Sequence, residues 1–367
     1  MAEKYDASRG NPMLKRLDKY IGIPLINLLG AFRRRRKLPK NIQRIGLLKT
    51  AAIGDTILIS GITADIEAAY PNAEIDFFAG SSNIEIAKLC LPERVRRVLI
   101  PVKEPAKALA IIREKQYDIF IDFGAWPRID ALLCGLSRAR FRLGFSNEGQ
   151  HRHRLFDDWA PHNNKFHEYR NYRELIKRIN VHGTHMPAVP FSKNPDPQRR
   201  IALHMFPGGS KAALRAWPEE RWLALANHFT KLGYEVMLTG APADKAKAEA
   251  LQAKADKPEK VSPYIGHSLP ETAEMLRNCQ LVYSVDTGIM HLAAASGCNL
   301  VSLHGPTPAA RWGPLNTNSI KLEPGPECLR CGNLGFEDCS KNRQCINDIT
   351  VQQAIAASVT FLQEYNK

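Results

Sequence analysis

The segment Asp286-Thr287-Gly288-Ile289-Met290-His291 places an acid, a hydroxyl and an imidazole close together in the chain. The apolar run Leu281–Val285 leads into it, and the small residues Ala293, Ala294 and Ala295 follow. That pattern reads as a strand running into a turn that opens a helix. The free amides of a helix start, with the Thr287 hydroxyl, form an anion site that suits a dinucleotide-like phosphate. His291 falls one turn into the helix and can face the same phosphate. A lone histidine is more often a packing residue; the company of Asp286 and Thr287 favours the functional reading here.

A second constellation runs from Pro207-Gly208-Gly209-Ser210-Lys211 to Arg215-Ala216-Trp217-Pro218. Amides of a glycine turn, the Ser210 hydroxyl and the cations Lys211 and Arg215 can hold a diphosphate; the competing reading is an exposed basic loop. The Walker spacing is missing, and the lack of a GxGxxG fingerprint weakens a dehydrogenase reading. In Thr239-Gly240-Ala241-Pro242-Ala243-Asp244, Asp244 can accept from a ribose hydroxyl or cap the next helix, and local spacing favours the cap. The fourth candidate is Lys49-Thr50-Ala51-Ala52-Ile53-Gly54-Asp55-Thr56. Asp55 can be a general base that deprotonates an acceptor hydroxyl. It can equally be an N-cap, which local spacing alone favours. Lys49 is a candidate acceptor or phosphate contact.

These residues need rigid elements behind them. From Arg44 onward, Ile45–Lys49, Glu74–Ala79, Val95–Ile100 and Tyr117–Phe123 read as strands, and Thr56–Tyr70, Asn83–Leu91 and Pro105–Lys115 as helices. Residues 144–197 are rich in His, Arg, Asn and Pro and mark a linker and domain boundary. The alternation then restarts with strands at Arg200–Phe206, Glu235–Thr239, Leu281–Val285 and Asn299–His304. A helix opens at Trp217-Pro218-Glu219-Glu220, carries Trp222, Leu225, Ala226, Phe229 and Leu232 on one face, and stops at Gly233. Strands alternating with helices imply parallel sheets covered on both faces. The two halves look like two copies of one doubly wound plan, and in such sheets ligands collect outside the carboxyl ends of the strands.

The chain has 367 residues, 44% of them hydrophobic and 24% charged, as expected of a globular protein of two domains. Its net charge is +14, yet residues 1–44 hold twelve Lys/Arg against three Asp/Glu, a net of +9, which leaves +5 for the rest. A basic terminus on a near-neutral body points to an anionic membrane surface rather than to nucleic acid. Residues 13–40 combine the apolar stretch Ile21–Phe32 with the run Arg33-Arg34-Arg35-Arg36-Lys37, which suits an interfacial helix on anionic lipid; the competing reading is an arm packed on the body. The apolar stretch is too short to span a bilayer, and no secretory signal is expected. Of eight cysteines, Cys90, Cys134, Cys279 and Cys298 are scattered, which fits a reducing cytoplasm. Cys328-x2-Cys331-x7-Cys339-x5-Cys345 can hold a structural zinc, stay reduced or form disulfides.

The Asp286–Gly297 segment, with Leu303-His304-Gly305-Pro306-Thr307 and Trp312-Gly313-Pro314, resembles the signature of the family 9 glycosyltransferases, the lipopolysaccharide heptosyltransferases and their relatives. The resemblance extends to Gly54-Asp55, to Pro207-Gly208 with Arg215-Ala216-Trp217-Pro218, and to Leu238-Thr239-Gly240, and covers about residues 44–365. It implies an α/β chain of two Rossmann-like doubly wound domains facing across a cleft, the type B glycosyltransferase fold. It implies an inverting reaction that needs no metal cofactor, with an ADP-sugar donor on the C-terminal domain and the acceptor on the N-terminal one. By position, Asp55 matches the catalytic base. Asp286, Thr287, Gly288 and His291 match the diphosphate-binding residues, Arg215 stands where a phosphate-binding lysine usually precedes Trp-Pro, Ser210 and Lys211 fall in the same loop, and Asp244 lies near a ribose-binding acid. Ile289 stands where proline is common.

The expected organisation is a basic amphipathic arm at 1–43, an acceptor domain at 44–185, a linker at 186–198, a nucleotide-sugar domain at 199–349 that includes the cysteine cluster, and a C-terminal helix at 350–367. The expected activity is heptose transfer from ADP-heptose to a lipopolysaccharide core or related lipid-linked envelope glycan, at the cytoplasmic face of the inner membrane. The alternatives are a relative that transfers another nucleotide-activated sugar, and a non-catalytic nucleotide-sugar or lipid-binding protein.

Overall fold

Strand β1 (Arg44–Lys49) has the sequence RIGLLK and is buried at five of its six positions. A strand apolar on both faces belongs in the middle of a parallel sheet with helices on each side. The computed structural model, which describes residues 18, 20–209, 212–325 and 345–362, places it there. The chain divides into two compact units, Met1–Pro187 and Ala188–Lys367.

The first unit opens with helix α1 (Gly22–Ala31) and then alternates β1, α2 (Ile53–Ala69), β2 (Glu74–Ala79), α3 (Ile84–Cys90), β3 (Arg96–Leu99), α4 (Pro105–Ile112), β4 (Ile119–Asp122), α5 (Arg128–Leu136), β5 (Phe141–Ser146), β6 (Asp158–Pro161) and α6 (Glu168–Ile176). Its six strands lie in the order β3-β2-β1-β4-β5-β6, all parallel. Leu47 is flanked by Phe77 on one side and Ile121 on the other. Gly46 lets the Phe120 ring lie across β1, since a Cβ there would come within 2.3 Å of that ring.

The second unit repeats the plan: β7 (Gln198–His204), α7 (Glu219–Lys231), β8 (Glu235–Gly240), α8 (Lys245–Lys254), β9 (Val261–Ile265), α9 (Leu269–Arg277), β10 (Cys279–Val285), α10 (Gly288–Ala295), β11 (Leu300–Leu303), α11 (Ala309–Trp312), β12 (Ser319–Leu322) and α12 (Val351–Leu362). The strand order is β12-β11-β10-β7-β8-β9, again all parallel. The order therefore reverses beside β1 and β4 in one sheet and beside β7 and β10 in the other.

One expectation needs correction, and of the two readings of the arm the packed one is seen. Residues 144–197 are not all linker: they contain the end of β5, all of β6 and α6. The hydrophilic appearance of α6 misleads because it buries polar groups in pairs. Buried Glu168 meets His162 Nε2 at 2.8 Å, and Asn171 Nδ2 donates to the Asn163 carbonyl at 3.1 Å. The arm, for its part, is tied to the body. Ile26 of α1 is fully buried in a core cluster with Leu155 and Phe156. Asp157, whose side chain has no exposure, accepts from the Arg33 guanidinium at 3.0 Å, the Arg36 amide at 3.0 Å and the Arg142 amide at 2.9 Å. The Arg35 guanidinium lies 4.4 Å over the Trp159 ring.

Asp157→Ala strands two backbone amides and a guanidinium around a buried site, a loss of ~3 kcal/mol. The expected result is a lower unfolding temperature, with tryptic cleavage within Arg33–Lys37 several-fold faster than in the parent. An unchanged cleavage rate would show that Asp157 does not hold the arm.

Candidate active site

Asp55 stands in the first turn of α2, which starts at Ile53 and is capped by Ala52. The N-cap reading of Asp55 therefore fails. The helix begins earlier than the expected Thr56 because Ala52 takes φ 78° and ψ 111°, a conformation that residues other than glycine rarely adopt. Such a conformation costs on the order of 1–3 kcal/mol and persists only where its surroundings enforce it.

Those surroundings are visible. Asn83 Nδ2 donates to the Lys49 carbonyl at 2.9 Å and to Thr56 Oγ1 at 2.9 Å. The Thr50 hydroxyl donates to Asp130 Oδ1 at 2.8 Å. Gly80 admits the Thr50 carbonyl, which would lie 2.2 Å from a Cβ at that position.

Lys49 ends β1 and turns its ammonium to Asp55 Oδ2 at 2.7 Å; the Asp55 side chain keeps 18% exposure. Burial opposes the lysine's charge, but Asp55, Glu168 and Asp130 together outweigh it and hold the Lys49 pKa above its ordinary value. The Tyr172 hydroxyl lies 3.5 Å from Lys49 Nζ. Burial, with Asp55 and Glu168, pushes the Tyr172 phenol well above its ordinary range, so it stays neutral. The corner thus presents a partly exposed carboxylate held by a cation, at the carboxyl end of β1 where the strand order reverses. Lys49 is committed to Asp55 here.

Behind the corner lies a group of charges that sequence reasoning missed. Asp122 at the end of β4 and Asp130 of α5 share the buried Arg152, whose guanidinium meets Asp122 directly. Burial pushes Asp122 up to about 7 against the pull of Arg152, and raises Asp130 as well. Asp122 ends an apolar strand at the switch point, and that was the available signal.

In the second unit, Arg215 joins the two expected anion segments. It ends the 3₁₀ turn Ala212–Arg215, and its guanidinium donates to the Asp286 carbonyl at 2.6 Å and the Gly208 carbonyl at 2.5 Å. Gly209 has φ 86°, the turn conformation that glycine permits. Thr287 is the N-cap of α10 and its Oγ1 accepts from the Met290 amide at 3.4 Å. Gly288 opens that helix, and Asp286 and His291 are both buried beside it. Asp244 is outside this group: its Oδ2 accepts from the Ala241 amide at 2.9 Å, back across the Pro242–Asp244 turn, and its side chain gives α8 no cap bond, so the expected cap on the next helix is not made. Ser210, Lys211, Cys328, Cys331 and Cys339 lie outside the described residues, and Cys345 is buried. Among the described residues no cluster of three His, Cys, Asp or Glu has metal-binding geometry.

Two histidines at strand ends were also missed as site components. His204 ends β7 with Nδ1 2.9 Å from Thr239 Oγ1, and burial brings its pKa down to about 4. His304 follows β11 with Nε2 3.0 Å from Ser302 Oγ, and burial lowers its pKa too, partly offset by Asp286. Burial therefore keeps both imidazoles neutral near neutral pH.

Two doubly wound parallel sheets are the architecture of the type B glycosyltransferases, and the comparisons with known proteins name the family. The family model described as glycosyltransferase family 9 (heptosyltransferase) matches residues 107–333, well over half the chain. The chain belongs to glycosyltransferase family 9. It is 25% identical over 307 residues to lipopolysaccharide heptosyltransferase 1 of Escherichia coli O18:K1:H7, covering 77% of this chain and 93% of that protein. Among solved structures it is similar to a family 9 glycosyltransferase from Veillonella parvula, with a TM-score of 0.74 and 17% identity over 90% of this chain and 100% of the other. It is also similar to an E. coli heptosyltransferase bound to ADP-2-deoxy-2-fluoro heptose, with a TM-score of 0.69 and 18% identity over 89% of this chain and 100% of that one.

His204 makes the second unit acid-sensitive. The unfolded imidazole takes a proton near pH 6.5, whereas the folded one resists until about 4. Stability is therefore lost as pH falls through that window, up to a limit of about 3 kcal/mol. Urea unfolding at pH 7 and pH 5 is expected to show a smaller acid loss in His204→Gln than in the parent. Equal losses would assign the acid sensitivity to other groups.

Proposed function

We propose that this chain transfers heptose from ADP-heptose to a lipopolysaccharide core or related envelope glycan, by inverting single displacement. The observation that carries this reading is the partly exposed Asp55 carboxylate at the switch point of one sheet, together with Arg215 bridging the Gly208 and Asp286 turns at the switch point of the other.

Asp55 removes the proton from the acceptor hydroxyl as that oxygen attacks the anomeric carbon. Lys49 and Tyr172 fix the orientation of the carboxylate. The bond from the anomeric carbon to the diphosphate breaks on the opposite face, and ADP leaves with the electron pair. Amides at the start of α10, with Arg215 and His291 beside them, stabilise that leaving group. Ser210 and Lys211 act in the same loop. The Tyr264 and His267 rings, stacked at 3.7 Å near the Gly240–Asp244 turn, offer a surface for the adenine, and Asp244 is assigned to a ribose hydroxyl. No step in this scheme uses a metal.

Asp55→Ala is expected to lower kcat by at least about 10²-fold, the usual worth of a general base, while ADP-heptose binding measured by calorimetry stays within twofold. Loss of donor binding in that variant would refute the assigned role. A thermal-shift screen in which UDP- or GDP-sugars stabilise the protein more than ADP-heptose would overturn the donor assignment in favour of another nucleotide-activated sugar.

The reading includes a seat on the cytoplasmic face of the inner membrane. No helix among the described residues is long and apolar enough to cross a bilayer. Helix α1 buries Gly22 and Ile26 on the body, whereas Tyr20, Ile21, Leu25, Leu28 and Phe32 are exposed, Phe32 at 84%. Exposed Arg34, Lys37 and Lys40 lie close by in sequence. An apolar ridge with adjacent cations suits anionic lipid, each cation adding ~1 kcal/mol near the surface. Co-sedimentation with vesicles containing phosphatidylglycerol is expected, weakening with salt and lost in the Leu28→Glu/Phe32→Glu double variant. Equal binding by parent and variant would remove this surface from the reading.

A further inference from the structure

We propose that Asp18, in the N-terminal arm, is a positioning residue for the transfer reaction, acting through the start of α5 and Thr50 on the loop that carries Asp55. The inference rests on Asp55 being the base.

Helix α5 follows Pro127, whose side chain offers no cap, and its first turn is left with unsatisfied amides. Asp18 supplies the missing acceptor from a distant part of the chain. Its Oδ1 accepts from the Arg128 amide at 2.9 Å, and its Oδ2 meets the Arg128 guanidinium at 2.5 Å. A carboxylate at a helix N-terminus also complements the helix dipole. Arg128 is itself buried, and its guanidinium reaches the Gln150 carbonyl at 3.3 Å as well. Gly22 of α1 lies against it, since a Cβ there would come within 2.9 Å of Arg128 Cδ. The first turn of α5 is therefore fixed by the arm.

Two residues further on stands Asp130, buried in the same turn. Both of its oxygens lie within reach of the Thr50 hydroxyl, at 2.8 and 3.0 Å. Thr50 is the residue after Lys49 and lies just before the strained Ala52. The φ of 78° at Ala52 needs anchors on both sides of the loop. Asn83 supplies one set, through the Lys49 carbonyl and Thr56, and Thr50–Asp130 supplies the other. Without Asp18 the first turn of α5 frays, Asp130 shifts, and the loop relaxes away from the conformation that aims Asp55. A misplacement of about 1 Å at a reacting group can cost as much as 10²-fold in rate, so loss of one anchor of two is expected to cost about tenfold.

The test is a double-mutant cycle with Asp18→Ala and Thr50→Val in the full chain. Each single variant is expected to lower kcat about tenfold with donor KM changed less than twofold. The double variant is expected to be no slower than the worse single, because both break one chain of contacts. Asp18→Asn keeps an oxygen for the Arg128 amide and is expected to restore most of the rate. Rate losses that multiply in the double variant would overturn the proposal, as would an Asp18→Ala enzyme that is less heat-stable yet fully active. Hydrogen exchange of the 50–56 amides separates this inference from the reading it rests on. Faster exchange in Asp18→Ala, in a protein where Asp55→Ala proves active, would keep the coupling and discard the base. Unchanged exchange would discard the coupling whatever the donor proves to be.

Discussion

Parallel pairing is the constraint on which everything else in this molecule depends. Every strand of each sheet points the same way, so the loops that follow the strands gather along one edge. The order β3-β2-β1-β4-β5-β6, and its repeat in the second unit, sends the connections on either side of the central pair in opposite directions. That leaves a gap between the loops after β1 and β4, and another between those after β7 and β10. Asp55 and Asp122 flank the first; Gly208 and Asp286 flank the second. The chemistry-bearing residues are thus where the backbone alone would put a ligand, before any side chain is considered.

The strand ends differ in how they handle charge. After β1 and β4 the protein buries Lys49, Asp122, Asp130 and Arg152 close together, with Asp55 at the partly exposed margin. Buried charges are costly unless paired and hydrogen-bonded. Here each has a partner: Lys49 with Asp55, Arg152 with Asp122, and Asp130 with the Thr50 hydroxyl. After β7 and β11 the protein keeps His204 and His304 neutral and leaves the polar work to backbone groups and Arg215. A preset network suits a group that must be aimed at a proton. Neutral imidazoles with one guanidinium and helix-start amides suit a group that must receive negative charge.

The central strands were legible because strands buried on both faces are continuous apolar runs, as in RIGLLK and CQLVYSV. The start of α7 was legible from Pro218 and the two glutamates after it, and its end from Gly233. The region around β6 and α6 was not. Edge strand β6 is only partly covered, and α6 buries Glu168 and Asn171 on the same face as Tyr169, Tyr172, Leu175 and Ile176, so its helical spacing was hidden by the polar composition of the region. The helix start near Asp55 was misplaced because no residue type announces that an alanine will take φ 78°. Arg215 was recognised as a candidate cation, but its bond to the Asp286 carbonyl spans 71 residues and could not be read locally.

The arm shows why a count of charges is a poor guide to what a surface does. Arg33 through Lys37 form one uniform cationic run in the sequence. Folded, Arg33 is spent on Asp157, Arg35 lies on the Trp159 ring, and Arg36 gives its amide to Asp157 and its guanidinium to the Ala139 carbonyl at 3.4 Å. These contacts fix the orientation of α1, so that one side carries Ile26 into the core while Leu25, Leu28 and Phe32 stay outside. Three cations of that run, Arg33, Arg35 and Arg36, therefore have contacts within the first unit, while Arg34 and Lys37 stay exposed beside the apolar ridge. The same docking brings Asp18 to the first turn of α5. One set of contacts thus fixes both an outward-facing surface and an inward-facing carboxylate, and the arm is better described as a part of the first unit than as an appendage to it.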